Sequence, residues 1–215
     1  MRALLGMLGC VTLGLAWLGP LQRLAPGPFT GHMTMHMAVV AVASPLWAFA
    51  LAGSGQDPVR RAAWLFPPLP ISVLELIAVW AWHAPGPHHF ARHSVLGLVL
   101  EQATFLVSGL GLWLAAFGGN AELRSVRAGQ GALALLLTSM HMTLLGALLA
   151  LPPRPLYAGH GHGHGHAALT PLEDQHLGGA VMLVVGGVVY LLGGLLLAVE
   201  LLRARPARLG LERAR

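Results

Sequence analysis

Residues 32–52 read HMTMHMAVVAVASPLWAFALA and contain no Asp, Glu, Lys or Arg. As a helix, a run of about twenty such residues is long enough to cross the hydrocarbon core of a bilayer. The whole chain of 215 residues has a matching composition, with 55% hydrophobic residues, 10% charged residues and a mean hydropathy of +0.67. The sequence therefore predicts an integral membrane protein.

Similar apolar stretches recur along the chain. We place six membrane spans at residues 3–18, 32–52, 68–82, 95–117, 129–151 and 177–202. Because each stretch is continuously apolar rather than alternating, helices are favoured over the strands of a β-barrel. The predicted fold class is all-α: a polytopic membrane helical bundle of about six transmembrane helices, forming a single integral-membrane domain over 1–215. The short first span, preceded by Arg2, also fits a signal segment, cleaved or retained.

Arginine is distributed unevenly between the two sides of this topology, and the chain has no lysine. The smaller group consists of Arg23, Arg92 and Arg154. The larger group, on the opposite side, consists of Arg2, Arg60, Arg61, Arg124, Arg127, Arg203, Arg205, Arg208, Arg213 and Arg215. By the positive-inside rule, we expect a bacterial inner-membrane protein with both termini in the cytoplasm and a basic cytoplasmic tail at 203–215. Since these arginines lie in loops and termini, the pI near 11.0 does not indicate nucleic-acid binding.

All twelve histidines fall in the opposite, outer half of the molecule. Two of them open the second span, in His32-Met33-Thr34-Met35-His36-Met37. At 100° per residue, five of these six side chains share about half of the helix surface, and Thr34 alone points away. Imidazole and thioether together suit copper, Cu(I) in particular. The segment therefore predicts a copper site; the alternative is that the methionines only fill gaps in the bundle.

Two other spans offer imidazole and thioether ligands. His83 ends the third span, either as a ligand level with His32 or as an interfacial histidine in contact with water. Met140-His141-Met142 lies inside the fifth span. These residues extend the predicted metal site to three helices.

Two carboxylates, Glu75 and Glu101, lie within predicted spans at a depth similar to that of His141. Carboxylates are costly inside a membrane and usually face a polar interior or a functional path. We expect them to form a polar pocket or path below the histidines. The alternative is that each is protonated and hydrogen-bonded within the bundle.

The outer loop at 152–175 contains a Gly-His tract. Its candidate metal ligands are His160, His162, His164 and His166. Alternating glycine makes the backbone permissive, and histidine at every second position offers many chelate geometries for Cu(II) or Zn(II). We interpret the tract as a collecting segment; a low-complexity insertion with incidental affinity is the alternative.

Asp174 and His176 open the sixth span, and His176 is a further candidate metal ligand. Asp174 is a candidate cap for its own helix, or a carboxylate that orients His176 or another metal-bound imidazole. Further along, Gly179, Gly186 and Gly193 recur every seven residues. This spacing is typical of close helix packing.

Several motifs occur in a recognisable order along residues 30–200. They are His32-Met33-x-x-His36-Met37, Trp82-His83-x-Pro85, Phe105-x-x-Ser108-Gly109 with Trp113, Pro155-Leu156-Tyr157, Leu172-Glu173-Asp174-Gln175 and Gly178-Gly179. This order resembles the CtaG-type cytochrome c oxidase assembly factors, a family associated with building the copper-haem centre of the oxidase. The resemblance implies copper delivery to the catalytic subunit. It also implies a functional face formed by His32, His36, His83, Asp174 and Gln175.

The chain departs from that family in three respects. Family members commonly have a His-x-x-Glu-His pattern in the fourth span, where this chain has Leu98, Glu101 and Gln102. Leu183 stands where a tryptophan is often seen, and six spans are predicted where seven are usual. The resemblance is therefore to a short, divergent member.

The leading hypothesis is a copper-binding assembly factor, not an enzyme, whose client is the apo catalytic subunit of cytochrome c oxidase. Periplasmic copper chaperones, membrane lipid and a second copy of the chain are further candidate partners. One alternative is a transition-metal transporter or storage protein with a path through Glu75, Glu101 and His141; another is a haem protein with two axial histidines. The single cysteine, Cys10, excludes a disulfide framework, and no nucleophile-base arrangement or phosphate loop supports a hydrolase.

Overall fold

A computed structural model describes residues 1–19, 28–120, 124–157 and 169–212. The helices in these residues are α1 (Arg2–Trp17), α2 (Phe29–Leu51), α3 (Pro58–Arg61), α4 (Pro68–His83), α5 (Pro85–His93), α6 (Val95–Phe117), α7 (Arg124–Ala150) and α8 (171–212). No strand occurs among the described residues, and the predicted all-α class is confirmed.

Each predicted span corresponds to one helix. By length and composition α2, α6, α7 and the segment Pro171–Arg203 of α8 could cross a membrane, whereas α1 and α4 are shorter apolar helices. The membrane helical bundle is therefore confirmed, and six is an approximate count because two of the helices fall short of full length. In contrast, α5 lies in a segment that the sequence analysis treats as a loop.

A π-helical turn, Ala38–Ala43, interrupts α2 just before Pro45. In this turn the N–H of Ser44 bonds to the carbonyl of Val39, five residues back. The next residue is Pro45, which has no N–H, so the carbonyl of Val40 has no partner within the helix. That carbonyl instead accepts hydrogen bonds from Trp113 Nε1 at 3.2 Å and from the Tyr190 hydroxyl at 3.3 Å. The break in α2 thus joins it to α6 and α8.

Glycines let α7 and α8 approach backbone to backbone, as their spacing predicts. A Cβ added at Gly146 would lie 2.6 Å from the Leu183 nitrogen, and one at Gly179 would lie 2.6 Å from the Ala150 nitrogen. At Gly193 the added atom would lie 2.7 Å from the Trp113 ring. No larger residue fits at these three positions without moving its neighbours.

The two ends of the bundle are built differently. At one end, here called the arginine end, both Arg124–Glu200 hydrogen bonds measure 2.7 Å. At the same end the buried Asp57 accepts the backbone N–H groups of Gly53 at 2.8 Å and Gly119 at 2.9 Å, which joins the loops after α2 and α6. At the opposite end, the histidine end, α4 finishes and α2, α5, α6 and α8 begin.

Candidate metal centre

Four buried histidines converge at the histidine end. His32 and His36 lie one turn apart on α2, His83 ends α4, and His88 lies on α5. The ring centroids of His32 and His88 are 4.9 Å apart, those of His32 and His83 5.7 Å, and those of His36 and His83 5.3 Å. None of the four is more than 5% exposed. The predicted His32–His36–His83 grouping is therefore present, and His88 completes it.

The turn between α4 and α5 places His83 and His88 in this cluster. A residue that precedes proline is restricted to extended backbone, and Ala84, before Pro85, has ψ of 143°. The helix α4 therefore ends at His83, and α5 begins at once in a new direction with Pro85 in its first turn. His88 and Ala91 form the buried face of α5.

Aromatic rings and a tyrosine hydroxyl enclose the imidazoles. The centroid of Phe105 lies 4.0 Å from that of His36, and the centroid of Tyr157 lies 4.3 Å from that of His88. The Tyr157 hydroxyl also donates to the His83 carbonyl at 2.6 Å. Burial raises the pKa of Tyr157 to about 12, so this hydroxyl keeps its proton and remains a donor. These contacts shield the cluster from water.

Glu101 is the carboxylate of the cluster. One ligand atom each from His32, His88 and Glu101 lie within 4.8 Å of one another. Glu101 Oε2 lies 3.5 Å from His32 Nδ1, accepts from Gln102 Nε2 at 3.1 Å, and pairs with Arg92 Nη2 at 2.7 Å. Burial lowers the pKa of Arg92, and the ion pair with Glu101 opposes that shift.

Several ring nitrogens in and beside the cluster have no hydrogen-bond partner in the described part of the chain. They include both nitrogens of His36 and of His141, and Nε2 of His83. His83 Nδ1 lies 2.6 Å from the Val79 carbonyl, which fixes the proton on Nδ1 and leaves a lone pair on Nε2. His141 lies close enough to His36 for the two rings to interact electrostatically. Each of these unpartnered nitrogens is a possible metal donor when its ring is neutral, the form that binds metals.

The methionines of α2 are buried, with 0, 1 and 2% of Met33, Met35 and Met37 exposed. Thr34 is the only residue from 32 to 37 that is not fully buried, in agreement with the predicted face. A Cβ added at Gly178 on α8 would lie 3.0 Å from Met33 Cγ, which shows that Met33 packs against that helix.

The two methionines of α7 have different surroundings. Met142 and the sulfur of Met37 both approach Gly186 of α8, each 3.3 Å from a Cβ placed there. Met140 is 67% exposed on the outer surface of α7. Together with His141, Ser72 and Thr138, Met140 lines a groove of about 490 Å³ between α4 and α7.

The other intramembrane carboxylate, Glu75, belongs to a different network. It is fully buried, lies 2.5 Å from the Tyr190 hydroxyl and 3.5 Å from that of Thr138. No hydrogen bond or ion pair joins Glu75, Glu101 and His141 to one another among the described residues. Glu75 and Glu101 thus have separate hydrogen-bond partners, and the common polar pocket or path expected from their depth stays a prediction.

Asp174 does not cap its own helix, and its expected role toward a metal-bound imidazole stays a prediction. The N-terminus of α8 is capped by Thr170 and Glu173, which bond reciprocally. Asp174 reaches instead to α2, where its carboxylate accepts from the N–H groups of Phe29 at 2.9 Å and Thr30 at 3.0 Å. The sequence interpretation considered a cap of its own helix or an imidazole partner and did not foresee the start of α2 as the partner, because this contact joins residues far apart in the chain. Asp174 positions the helix that carries His32 and His36.

The neighbours of Asp174 serve the loop before α8. Gln175 accepts from Leu156 N–H at 2.6 Å and donates to the Leu149 carbonyl at 3.0 Å. His176 Nε2 lies 2.9 Å from the Pro152 carbonyl. The tract residues His160, His162, His164 and His166 lie outside the described residues.

His88 and Arg92 are the site residues that sequence reasoning did not identify. Their signal was present: His88, Ala91 and Arg92 recur at helical spacing directly after Pro85, which is favoured at a helix start. The sequence analysis assigned these residues to a loop and therefore placed no ligand there.

Comparison of the sequence with known protein families finds one that matches most of the chain. A model of the family described as cytochrome c oxidase caa3 assembly factor (Caa3_CtaG) matches residues 1–204. Neither the curated proteins nor the solved structures contain a match.

Proposed function

The chain belongs to the cytochrome c oxidase caa3 assembly factors, and from this premise we propose that it carries Cu(I) for building the oxidase. In this proposal the buried histidine cluster binds a Cu(I) ion and passes it by ligand exchange to the copper-free catalytic subunit. Family membership supports the assembly role and a non-catalytic protein. The choice of copper as cargo is based on the donor set.

The observation that carries the proposal is the convergence of buried imidazole nitrogens that have no hydrogen-bond partner in the described part of the chain. A buried polar atom left unsatisfied costs about 1–3 kcal/mol. His36 and His83 each contribute such atoms, with ring centroids 5.3 Å apart, and His32 lies beside His83. A bound metal ion would satisfy several of these nitrogens at once.

The charge of the cluster favours a monovalent ion. Its single carboxylate, Glu101, is already paired with Arg92 at 2.7 Å, so an added cation enters a site with little spare negative charge. Because burying charge is costly unless it is compensated, one positive charge is tolerated there more easily than two. Among metals that imidazole binds, this favours Cu(I) over divalent ions.

Glu101 can bind the metal without releasing Arg92. Its Oε2 holds Arg92 and Gln102, whereas Oε1 has no hydrogen-bond partner among the described residues. A Cu(I) ion held by His32 and His88 would have Oε1 as a further oxygen donor. Arg92 would then fix the carboxylate and limit its negative charge, which keeps binding reversible enough for transfer.

Cu(I) titration of the purified protein against a competing chelator tests the site. We expect His32→Ala and His88→Ala to lose the bound ion, since each removes one member of the cluster. His176→Ala is the matched control: its ring already bonds to the Pro152 carbonyl, and binding should be unchanged. A wild-type protein that takes up no Cu(I), or variants that bind like the wild type, would refute the site.

A second experiment tests the role in cells. Oxidase from cells that lack this protein should contain less copper, and the wild-type chain should restore it where His32→Ala/His88→Ala does not. Proteoliposomes loaded with the protein separate this role from transport. A carrier for assembly moves no copper across the bilayer, whereas sustained flux would favour the transporter alternative.

A further inference from the structure

The outward face of α5 carries a pair of histidines separate from the buried cluster. His89 and His93 are both exposed and lie four residues apart on one helix. Their ring centroids are 3.9 Å apart and the rings are within 17° of parallel. Residues at this spacing share a helix face, so the two imidazoles stand side by side.

The hydrogen bonding of His93 leaves its outer nitrogen available. His93 Nδ1 lies 2.9 Å from the His89 carbonyl, which places the ring proton on Nδ1. The lone pair of His93 is then on Nε2, the nitrogen farther from the backbone. Two histidines four residues apart on a helix are also the ligand pair of the zinc-binding His-Glu-x-x-His motif, where this spacing lets both rings reach one ion.

We infer that His89 and His93 form a second metal site, one that chelates a divalent ion such as Cu(II), Zn(II) or Ni(II). An exposed site with imidazole donors and open access to water suits divalent ions, in contrast to the buried cluster, where a single positive charge is favoured. Water can complete the coordination because both side chains are open to solvent. Metal binding by this pair does not depend on the proposed function of the buried cluster, whereas the collecting role described below rests on it.

The neighbouring positive charge does not prevent cation binding. Arg92 precedes His93 in the chain, and its guanidinium is turned toward Glu101, with which it pairs at 2.7 Å. The charge of Arg92 is therefore compensated on the buried side of α5, whereas His89 and His93 lie on the exposed side. The nine-residue helix thus presents His88 to the buried cluster and a second set of donors to the solvent.

The location suggests what the second site does. A metal bound by His89 and His93 is held on the outside of the same helix that contributes His88 to the buried cluster. We assign to this site the collection of divalent metal at the histidine end, upstream of any reduction and transfer inward. Reduction of Cu(II) to Cu(I) requires an external one-electron donor, such as a thiol.

Cu(II) titration followed by electron paramagnetic resonance tests the site. The background is the full chain with His160, His162, His164 and His166 replaced by serine, so that the Gly-His tract does not compete. We expect an axial Cu(II) signal with nitrogen couplings in this background. His89→Ala and His93→Ala should each weaken binding on the order of 100-fold, because the second ligand of a tethered pair acts at high effective concentration. The double variant should bind more weakly than either single variant, because no imidazole of the pair remains.

Two controls define the outcome. His176→Ala should bind Cu(II) like the background. His32→Ala/His88→Ala should lose Cu(I) from the buried cluster and keep the Cu(II) signal, which separates failure of this inference from failure of the proposed function. A background that gives no nitrogen-coupled Cu(II) signal, or single variants with unchanged affinity, would overturn the inference. Cu(I) binding by the His89→Ala and His93→Ala proteins verifies that both remain folded.

Discussion

Asp174 Oδ1 accepts two hydrogen bonds from Thr30, one from its hydroxyl at 2.6 Å and one from its backbone N–H at 3.0 Å. The first N–H groups of a helix have no partner within it. A carboxylate at this position accepts their hydrogen bonds, and its negative charge interacts favourably with the helix dipole. Because His32 follows two residues later, the start of α8 determines where the first ligand of α2 stands.

Replacing Asp174 with alanine should therefore destabilise the protein and weaken metal binding together. Two backbone N–H groups at the start of α2 lose their acceptor, whereas the Thr30 hydroxyl keeps the Asp174 carbonyl at 3.0 Å. A buried donor left unsatisfied costs about 1–3 kcal/mol. Thermal unfolding and Cu(I) titration measure the two effects. Glu173→Gln is the control, because Glu173 is exposed and its hydrogen bonds among the described residues are with Thr170. Wild-type stability in Asp174→Ala would contradict this prediction.

The Arg92–Glu101 pair predicts strong coupling in a double-mutant cycle. Either Arg92→Gln or Glu101→Gln leaves the other charge unpaired in a buried setting, whereas the double variant removes both. We expect a coupling free energy of unfolding of about 1–3 kcal/mol, the upper part of the range for contacting residues. Additive single effects in chemical unfolding would mean that the pair contributes nothing in the folded protein.

Gly179→Ala should destabilise the bundle by about 1–3 kcal/mol, the usual cost of forcing extra atoms into a packed core. The added Cβ would lie 2.6 Å from the Ala150 nitrogen, a backbone atom that cannot move alone. Gly129→Ala on α7 is the matched control, since its nearest neighbour, Leu201 Cδ1, lies at 3.7 Å. Thermal unfolding in the same detergent compares them. Equal midpoints for the two variants would show that α7 and α8 are less closely packed than described.

Membrane orientation is a prediction from charge alone, and single-cysteine labelling tests it. In a Cys10→Ser background, Ala84→Cys marks the histidine end and Gln56→Cys the arginine end, and both positions are exposed. An impermeant thiol reagent added to intact bacterial cells whose outer membrane has been permeabilised should modify residue 84 and spare residue 56, because arginine-rich loops remain in the cytoplasm. Labelling of residue 56 alone would reverse the orientation and place the metal cluster toward the cytoplasm.

The sequence predicts the fold well because long apolar runs have few alternatives in a membrane. All six predicted spans are helices in the structure, and His32, His36 and His83 meet as the motifs imply. The carboxylate of Glu101 also lies beside them. These residues are near the ends of long helices, so the topology alone brings them to one end of the bundle.

The remaining parts of the site depend on contacts between distant residues. Asp174 caps α2 rather than α8, and this pairing has no local signature. His88 and Arg92 lie on a short helix whose polar composition resembles a loop. The methionines at 33, 35 and 37 are buried, and Met33 and Met37 pack toward α8. Periodicity alone does not distinguish a packing thioether from a ligand.

The π-helical turn before Pro45 separates α2 into an upper and a lower segment. The upper segment, from Phe29 to this turn, is held at its start by the Asp174 carboxylate. At its lower end, Trp113 and Tyr190 donate hydrogen bonds to the Val40 carbonyl. Under the proposed function, small shifts of His32 and His36 on binding and release of an ion would be taken up at the π-helical turn. The lower segment of α2 and the loops joined by Asp57 would then keep their positions while the ion is transferred.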